Sequence, residues 1–162
     1  MTSQRHRLSF GWWRKSAPRT VLHPELGLLS LSAGVWKGEI PYGDSTVGLF
    51  LGSANAEPED DILGLALEAV RGLDRFVPIA QGYLALQPAY RGTTDFLVPV
   101  GISVTRPDPA LILARLAREG SVPLRFAPQG QPMWGLQFQA PGGNDVLEVF
   151  FFRGIPIFAD YH

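Results

Sequence analysis

Cysteine is missing from all 162 positions of the chain. Its absence excludes disulfides, catalytic thiols, iron–sulfur clusters and cysteine-based zinc sites. Long apolar runs are missing too, since none approaches the roughly 18 residues of a membrane-spanning helix. The apolar stretch at residues 10–13 is shorter than the roughly 7–15 residues of a signal-peptide core. The sequence therefore predicts a soluble cytoplasmic protein without a membrane span.

An excess of one charge is also missing, because 14 basic residues nearly balance 15 acidic ones. The balance hides an uneven distribution. Residues 1–19 hold five basic residues and no acid, which leaves nine basic and fifteen acidic residues in 20–162, a net charge of −6. An acidic body disfavours binding of nucleic acid across the whole chain.

The basic N-terminal tail, residues 1–19, leaves two interpretations open. Aromatic residues between cations can stack bases and grip phosphates, so the tail can contact nucleic acid or lipid. Alternatively, it is a flexible N-terminal extension with a tryptophan packed against the body. The residues concerned are Arg5, Arg7, Trp12, Trp13, Arg14 and Lys15.

Hydrophobic periodicity predicts one domain over residues 20–162. Alternating apolar residues predict strands, followed in several places by turn residues. The predicted strands are 26–31, 35–40, 46–51, 96–104, 122–127, 133–140, 146–152 and 155–159. Together with two helical stretches, this order predicts an α+β fold, with a mostly antiparallel sheet of about six to eight strands and two helices packed on one side.

The two helices are predicted from their ends as well as from their spacing. Acids at residues 57–61 suit the positive end of a helix dipole, and Pro78 is expected to end that helix. The second helix has Asp108 as its N-cap, Pro109 at its first position and Gly120 at its C-terminal cap.

Motifs that carry catalysis are absent. The sequence has no Gly-x-Ser-x-Gly, phosphate-binding loop, His-Glu-x-x-His or Gly-x-Gly-x-x-Gly pattern. Of the three histidines, only His23 is far from a terminus, so no metal site, cofactor or catalytic residue is predicted. The alternative is a small hydrolase or ligand-binding enzyme with a pocket between sheet and helices, using His23, Tyr90 and Asp95.

The densest charged cluster is a group of acids that we call the acidic patch. Its members are Glu57, Glu59, Asp60 and Asp61. A helix start explains them, and their spacing is not that of an EF-hand. They also suit contact with a basic partner, because complementary charge accelerates encounter. Lys37 and Glu39, on the exposed face of strand 35–40, are the other predicted contacts.

Residues 23–29 (HPELGLL) and 36–40 (WKGEI) carry a resemblance. They resemble the opening of a group of uncharacterised bacterial proteins, which have a His-Pro-x-Leu-Gly turn, a Trp-x-Gly strand and then a helix with an acidic start. The similarity covers about residues 20–80. Many such small α+β proteins look like immunity partners of contact-delivered toxins. The resemblance implies a bacterial, non-enzymatic protein that neutralises a basic toxin domain by binding it.

Overall fold

The computed structural model describes residues 19–53, 57–90, 97–119, 130–139 and 145–161. Its helices are α1 (Asp60–Arg71), α2 (Leu73–Leu86) and α3 (Pro109–Glu119), with a 3₁₀ turn at Pro88–Tyr90. Its strands are β1 (Thr20–His23), β2 (Gly27–Ser32), β3 (Val35–Tyr42), β4 (Ser45–Gly52), β5 (Val98–Thr105), β6 (Met133–Gln139), β7 (Val146–Phe152) and β8 (Ile155–Tyr161). The basic residues at positions 1–18 and the predicted strand 122–127 lie outside the described residues.

All eight strands form one sheet, whose spatial order is the order of the chain. Neighbours are antiparallel except β4 and β5, which are parallel. Parallel neighbours need a long crossover, and α1 with α2 supplies it. The predicted α+β fold with a mostly antiparallel sheet is confirmed.

The two faces of the sheet are covered by different helices. Alternate residues such as Trp36, Leu49 and Leu136 are fully buried with α1 and α2 in the main hydrophobic core. We call this side the α1/α2 face. Residues of opposite orientation form a second cluster with α3, in which Ile112 and Leu116 pack against β6, β7 and β8. We call that side the α3 face.

The expected pair of helices on one side therefore needs correction. The first predicted helix consists of two helices, α1 and α2, while α3 packs on the opposite face. Pro78 does not end the helix but lies inside α2. Its missing N–H leaves only the carbonyl of Asp74 without a helical bond, and Asp74 is exposed to water.

The chain breaks instead at Gly72, between α1 and α2. A Cβ atom at this position would lie 2.5 Å from the ring of Phe76, which is almost completely buried. Glycine is thus needed for close approach of this ring. The start of α3 agrees with prediction, because Asp108 Oδ1 accepts the N–H of Ala110 at 2.8 Å.

Strand β5 contains an irregularity that changes its predicted alternation. The pairing with β6 skips Val100, so Pro99 pairs with Phe138 while Gly101 pairs with Gln137. The bulge places Val98 on the opposite face from Ile102, and 56% of Val98 is exposed. Strict alternation through the predicted strand 96–104 would place both residues on one face, and the bulge prevents this.

Candidate functional site

The acidic patch lies where β4 leads into α1. Asp60 and Asp61 occupy the first turn of α1, and Glu59 is its N-cap residue without a side-chain cap bond. Asp61 Oδ1 accepts the N–H of Ile62 at 2.9 Å. These acids face the positive end of the helix dipole, so the helix-start interpretation accounts for their local placement.

Arg106 follows β5 and clamps this end of α1. Its Nε and Nη2 donate to Glu59 Oε2 at 3.1 and 3.0 Å, and its Nη2 also bonds the Asp61 carboxylate. Its Nη1 donates to the carbonyl of Gly130 at 3.1 Å. The hydrogen bonds that Arg106 donates to Asp61 and Glu59 raise its pKa. One guanidinium thus connects α1, the end of β5 and the segment before β6.

The clamp neutralises only part of the acidic patch. Glu57 and Asp60 are exposed and make no ion pair within the described ranges. Four carboxylates and one guanidinium leave a local charge of −3. The patch is therefore both a structural helix start and an exposed negative surface.

Lys37 and Glu39 are both exposed, as their alternation with buried Trp36 and Ile40 predicts. They lie on the α3 face, beside Leu28 and Ser30, in a shallow depression of about 400 Å³. Helix α1 packs on the other face of the sheet. The structure therefore divides the six predicted contact residues between two separate surfaces.

Two of the three residues suggested for an enzyme pocket, His23 and Tyr90, have separate local partners. His23 Nδ1 accepts the N–H groups of Glu25 and Leu26 at 3.2 Å, which makes it part of the turn after β1. Tyr90 packs against Tyr161, with ring centroids 5.3 Å apart. Asp95 lies outside the described residues. The contacts of His23 are those of a turn residue.

Glu25, in the same turn, forms an ion pair with the end of α1. Its Oε1 lies 2.5 Å from Arg71 Nη2, and its Oε2 accepts from Arg71 Nε at 2.8 Å. The hydrogen bond from Arg71 lowers the pKa of Glu25. The pair attaches the β1–β2 turn to the helix layer.

The α3 face also holds a polar cluster that was not predicted from the sequence, formed by Ser103, Gln137 and Glu148. Glu148 is only 3% exposed although it carries a carboxylate. Ser103 Oγ donates to Glu148 Oε1, and Gln137 Nε2 donates to the same oxygen at 3.2 Å. Burying a charge is unfavourable unless hydrogen bonds compensate it, and these donors do so.

Glycines make room for this polar cluster. A Cβ at Gly135 would lie 2.2 Å from Glu148 Oε1, and one at Gly101 would lie 2.3 Å from Gln137 Oε1. Glycine inside a strand commonly marks such a close approach. Glu148 inside the apolar run 147–152, with glycines in two neighbouring strands, is the sequence signal that could have revealed the cluster.

Arg115 of α3 contacts the outermost strand, β8. Its Nη2 lies 2.8 Å from Asp160 Oδ1 and donates to the carbonyl of Ala159 at 2.9 Å. Asp160 is directly opposite Glu148 in the strand register. Like charges at such positions repel, so the guanidinium beside Asp160 offsets the repulsion as well as covering part of the strand edge.

Comparisons with known proteins add no family. No family model, no curated protein and no solved structure matches the chain. Within the described ranges, no three or more histidine, aspartate or glutamate side chains gather as a group that could hold a metal ion. None of the helices in the described part of the chain is long and apolar enough to cross a membrane.

Proposed function

We propose that this chain is a non-enzymatic protein-binding module, of the immunity type, that neutralises a basic bacterial toxin domain by direct contact. The observation that carries the proposal is the acidic patch, which keeps a local charge of −3 despite the Arg106 clamp. The resemblance of residues 20–80 to a group of uncharacterised bacterial proteins, many of which look like toxin-immunity partners, supports the same function.

The geometry of the patch suits recognition of cations. The clamp holds Glu59 and Asp61 against the end of β5, so these carboxylates lose little freedom when a partner binds. Glu57 and Asp60 are exposed beside them. Since residues 20–162 carry a net charge of −6, the whole body attracts a basic domain and the patch orients it.

Lys37 and Glu39 form a second proposed contact on the α3 face. Exposed Leu22 and Leu28 lie on the neighbouring strands β1 and β2, with 78% and 61% of their surfaces accessible. An apolar surface with charged neighbours is typical of a protein interface. Because the two contacts lie on separate surfaces, a partner that reaches both would have to extend from one surface to the other.

The test is charge reversal in the patch, with a partner captured from the native host by pull-down, which the proposal expects to be a toxin-domain protein encoded nearby. Glu57→Lys together with Asp60→Lys is expected to lower the association rate about 10- to 100-fold at low salt, because electrostatic steering becomes repulsive. The matched control is Glu68→Lys with Asp74→Lys, which reverses two exposed helical acids outside the patch. Stopped-flow kinetics and protection of toxin-expressing cells measure the effects.

A second variant, Arg106→Gln, tests the effect of a more negative acidic patch on the association rate. Arg106→Gln removes the clamp and makes the patch more negative. At low salt, the association rate of this variant should therefore exceed that of the wild type about two- to fivefold. Absence of a complex, or an equal rate loss in the Glu68/Asp74 control, would contradict the proposed surface. Loss of protection only on changing Lys37 and Glu39 would assign the contact to the α3 face instead.

A further inference from the structure

A groove of about 400 Å³ lies between α3 and β8. Leu111, Ala114, Arg115 and Arg118 of α3 form one wall, and Phe158 and Asp160 of β8 form the other. The volume falls within the range of about 300–1,000 Å³ that is usual for small-molecule sites. The groove lies on the α3 face, away from the acidic patch, so its role does not depend on the proposed partner.

The groove has an apolar end and a basic end. Residues three or four apart lie on one side of a helix, so Leu111, Ala114 and Arg118 follow each other along its wall. Leu111 leaves 70% of its surface exposed at one end, where an apolar ligand could cover it. Arg118 is exposed at the other end.

The charges in the groove favour an anion. Arg115 and Asp160 form an ion pair with each other at 2.8 Å. Arg118 makes no ion pair within the described part of the chain. The charged groups of the lining therefore sum to +1, in a body whose net charge is negative.

The contacts of Arg115 also narrow the kind of ligand. An extended peptide would add to the edge of β8 through backbone hydrogen bonds. Arg115 already donates a hydrogen bond to the carbonyl of Ala159 on this strand. Strand addition at this point would require that side chain to leave, whereas a small ligand in the groove would not.

We propose that the groove binds a small amphipathic carboxylate, namely a fatty acid with an alkyl chain of medium length. Arg118 holds the carboxylate, and the chain lies along Leu111, Ala114 and Phe158. This chemistry uses Arg118, which has no ion pair among the described residues, and covers the exposed apolar wall at the same time.

The probes are decanoate, decanol and decylamine, which share one chain length and differ in charge. Isothermal titration calorimetry below micelle-forming concentrations is expected to show decanoate binding tightest and decylamine weakest. Ala114→Leu should weaken decanoate binding about tenfold or more by filling the groove. Ala117→Leu, at an exposed position of α3 outside the lining, should stay within about twofold of the wild type.

Arg118→Gln should weaken decanoate binding about two- to fivefold, because an exposed ion pair contributes little. The affinity for decanol, which carries no charge, should not change. Arg75→Gln, which removes an exposed cation elsewhere, is the charge control. Equal binding of all three probes, no saturable binding, or an equal effect of Ala117→Leu would overturn the proposal. A short apolar peptide that binds the groove more tightly than decanoate would replace the small carboxylate as its ligand.

Discussion

Replacing Trp134 with alanine is expected to lower the free energy of unfolding by about 3–5 kcal/mol. Trp134 is fully buried on the α1/α2 face. Its ring stacks on Phe151 with centroids 4.3 Å apart and meets the edge of Phe76 at 4.8 Å. Removing it leaves a cavity where β6, β7 and α2 meet. Urea unfolding followed by circular dichroism measures the loss.

Trp134→Phe is the informative companion variant. The indole Nε1 is buried and donates no hydrogen bond to the described residues, which is unfavourable by about 1–3 kcal/mol. Phenylalanine loses packing but also removes this donor, so the net change should stay within about 1.5 kcal/mol. Leu22→Ala, at a position 78% exposed, should change stability by less than about 0.5 kcal/mol. Equal losses for Trp134→Ala and Trp134→Phe would contradict this account of the core.

Gly135→Ala should lower the free energy of unfolding by about 3 kcal/mol, through overpacking and displacement of a hydrogen-bonded carboxylate. The new Cβ would lie 2.2 Å from Glu148 Oε1 and 2.7 Å from its Cδ. The side chain of Glu148 is 3% exposed and bonded by Ser103 and Gln137, so it cannot simply swing into water. Chemical denaturation measures the change.

Gly64→Ala is the matched control. Gly64 lies in α1 with no atom within 4 Å of an added Cβ, so alanine there should stabilise by about 0.5–1 kcal/mol. A double-mutant cycle with Glu148→Ala tests the cause, since removing the carboxylate should make Gly135→Ala less harmful. Strict additivity of the two changes would show that their side chains do not compete for the same space.

Neighbouring residues of β6 show why the strands were predictable from the sequence. Trp134 and Gly135 point to opposite faces because side chains alternate along a strand. The same alternation predicts buried Trp36 and exposed Lys37 in β3, as observed. The N-terminal cap of α3 was predictable too, since Asp108 and Pro109 act on their own backbone.

The division of the first predicted helix into α1 and α2 was harder to predict from the sequence. Gly72 and Pro78 both weaken a helix locally, and Pro78 is the stronger signal in isolation. The helix breaks at Gly72, where the ring of Phe76 packs into the core and leaves no space for a Cβ. The need for glycine at this position thus comes from a tertiary contact.

The candidate sites divide in the same way. The acids of the patch are adjacent in the sequence, because a helix dipole favours acids within its own first turn. They could therefore be recognised as a group from the sequence. Their partner, Arg106, lies 45 residues from Asp61, so no local pattern connects the two. The polar cluster likewise joins Ser103 and Glu148 across the sheet.

By itself, the sequence determined the class of fold, most strand positions, the charge asymmetry and the exclusion of thiol chemistry, since these depend on composition and on periodicity along the chain. Only the tertiary structure decided that α3 covers the opposite face from α1 and α2, that Arg106 partly neutralises the acidic patch, and that Glu148 is buried. These features depend on contacts between residues far apart in the chain, and such contacts exist only after the sheet has formed.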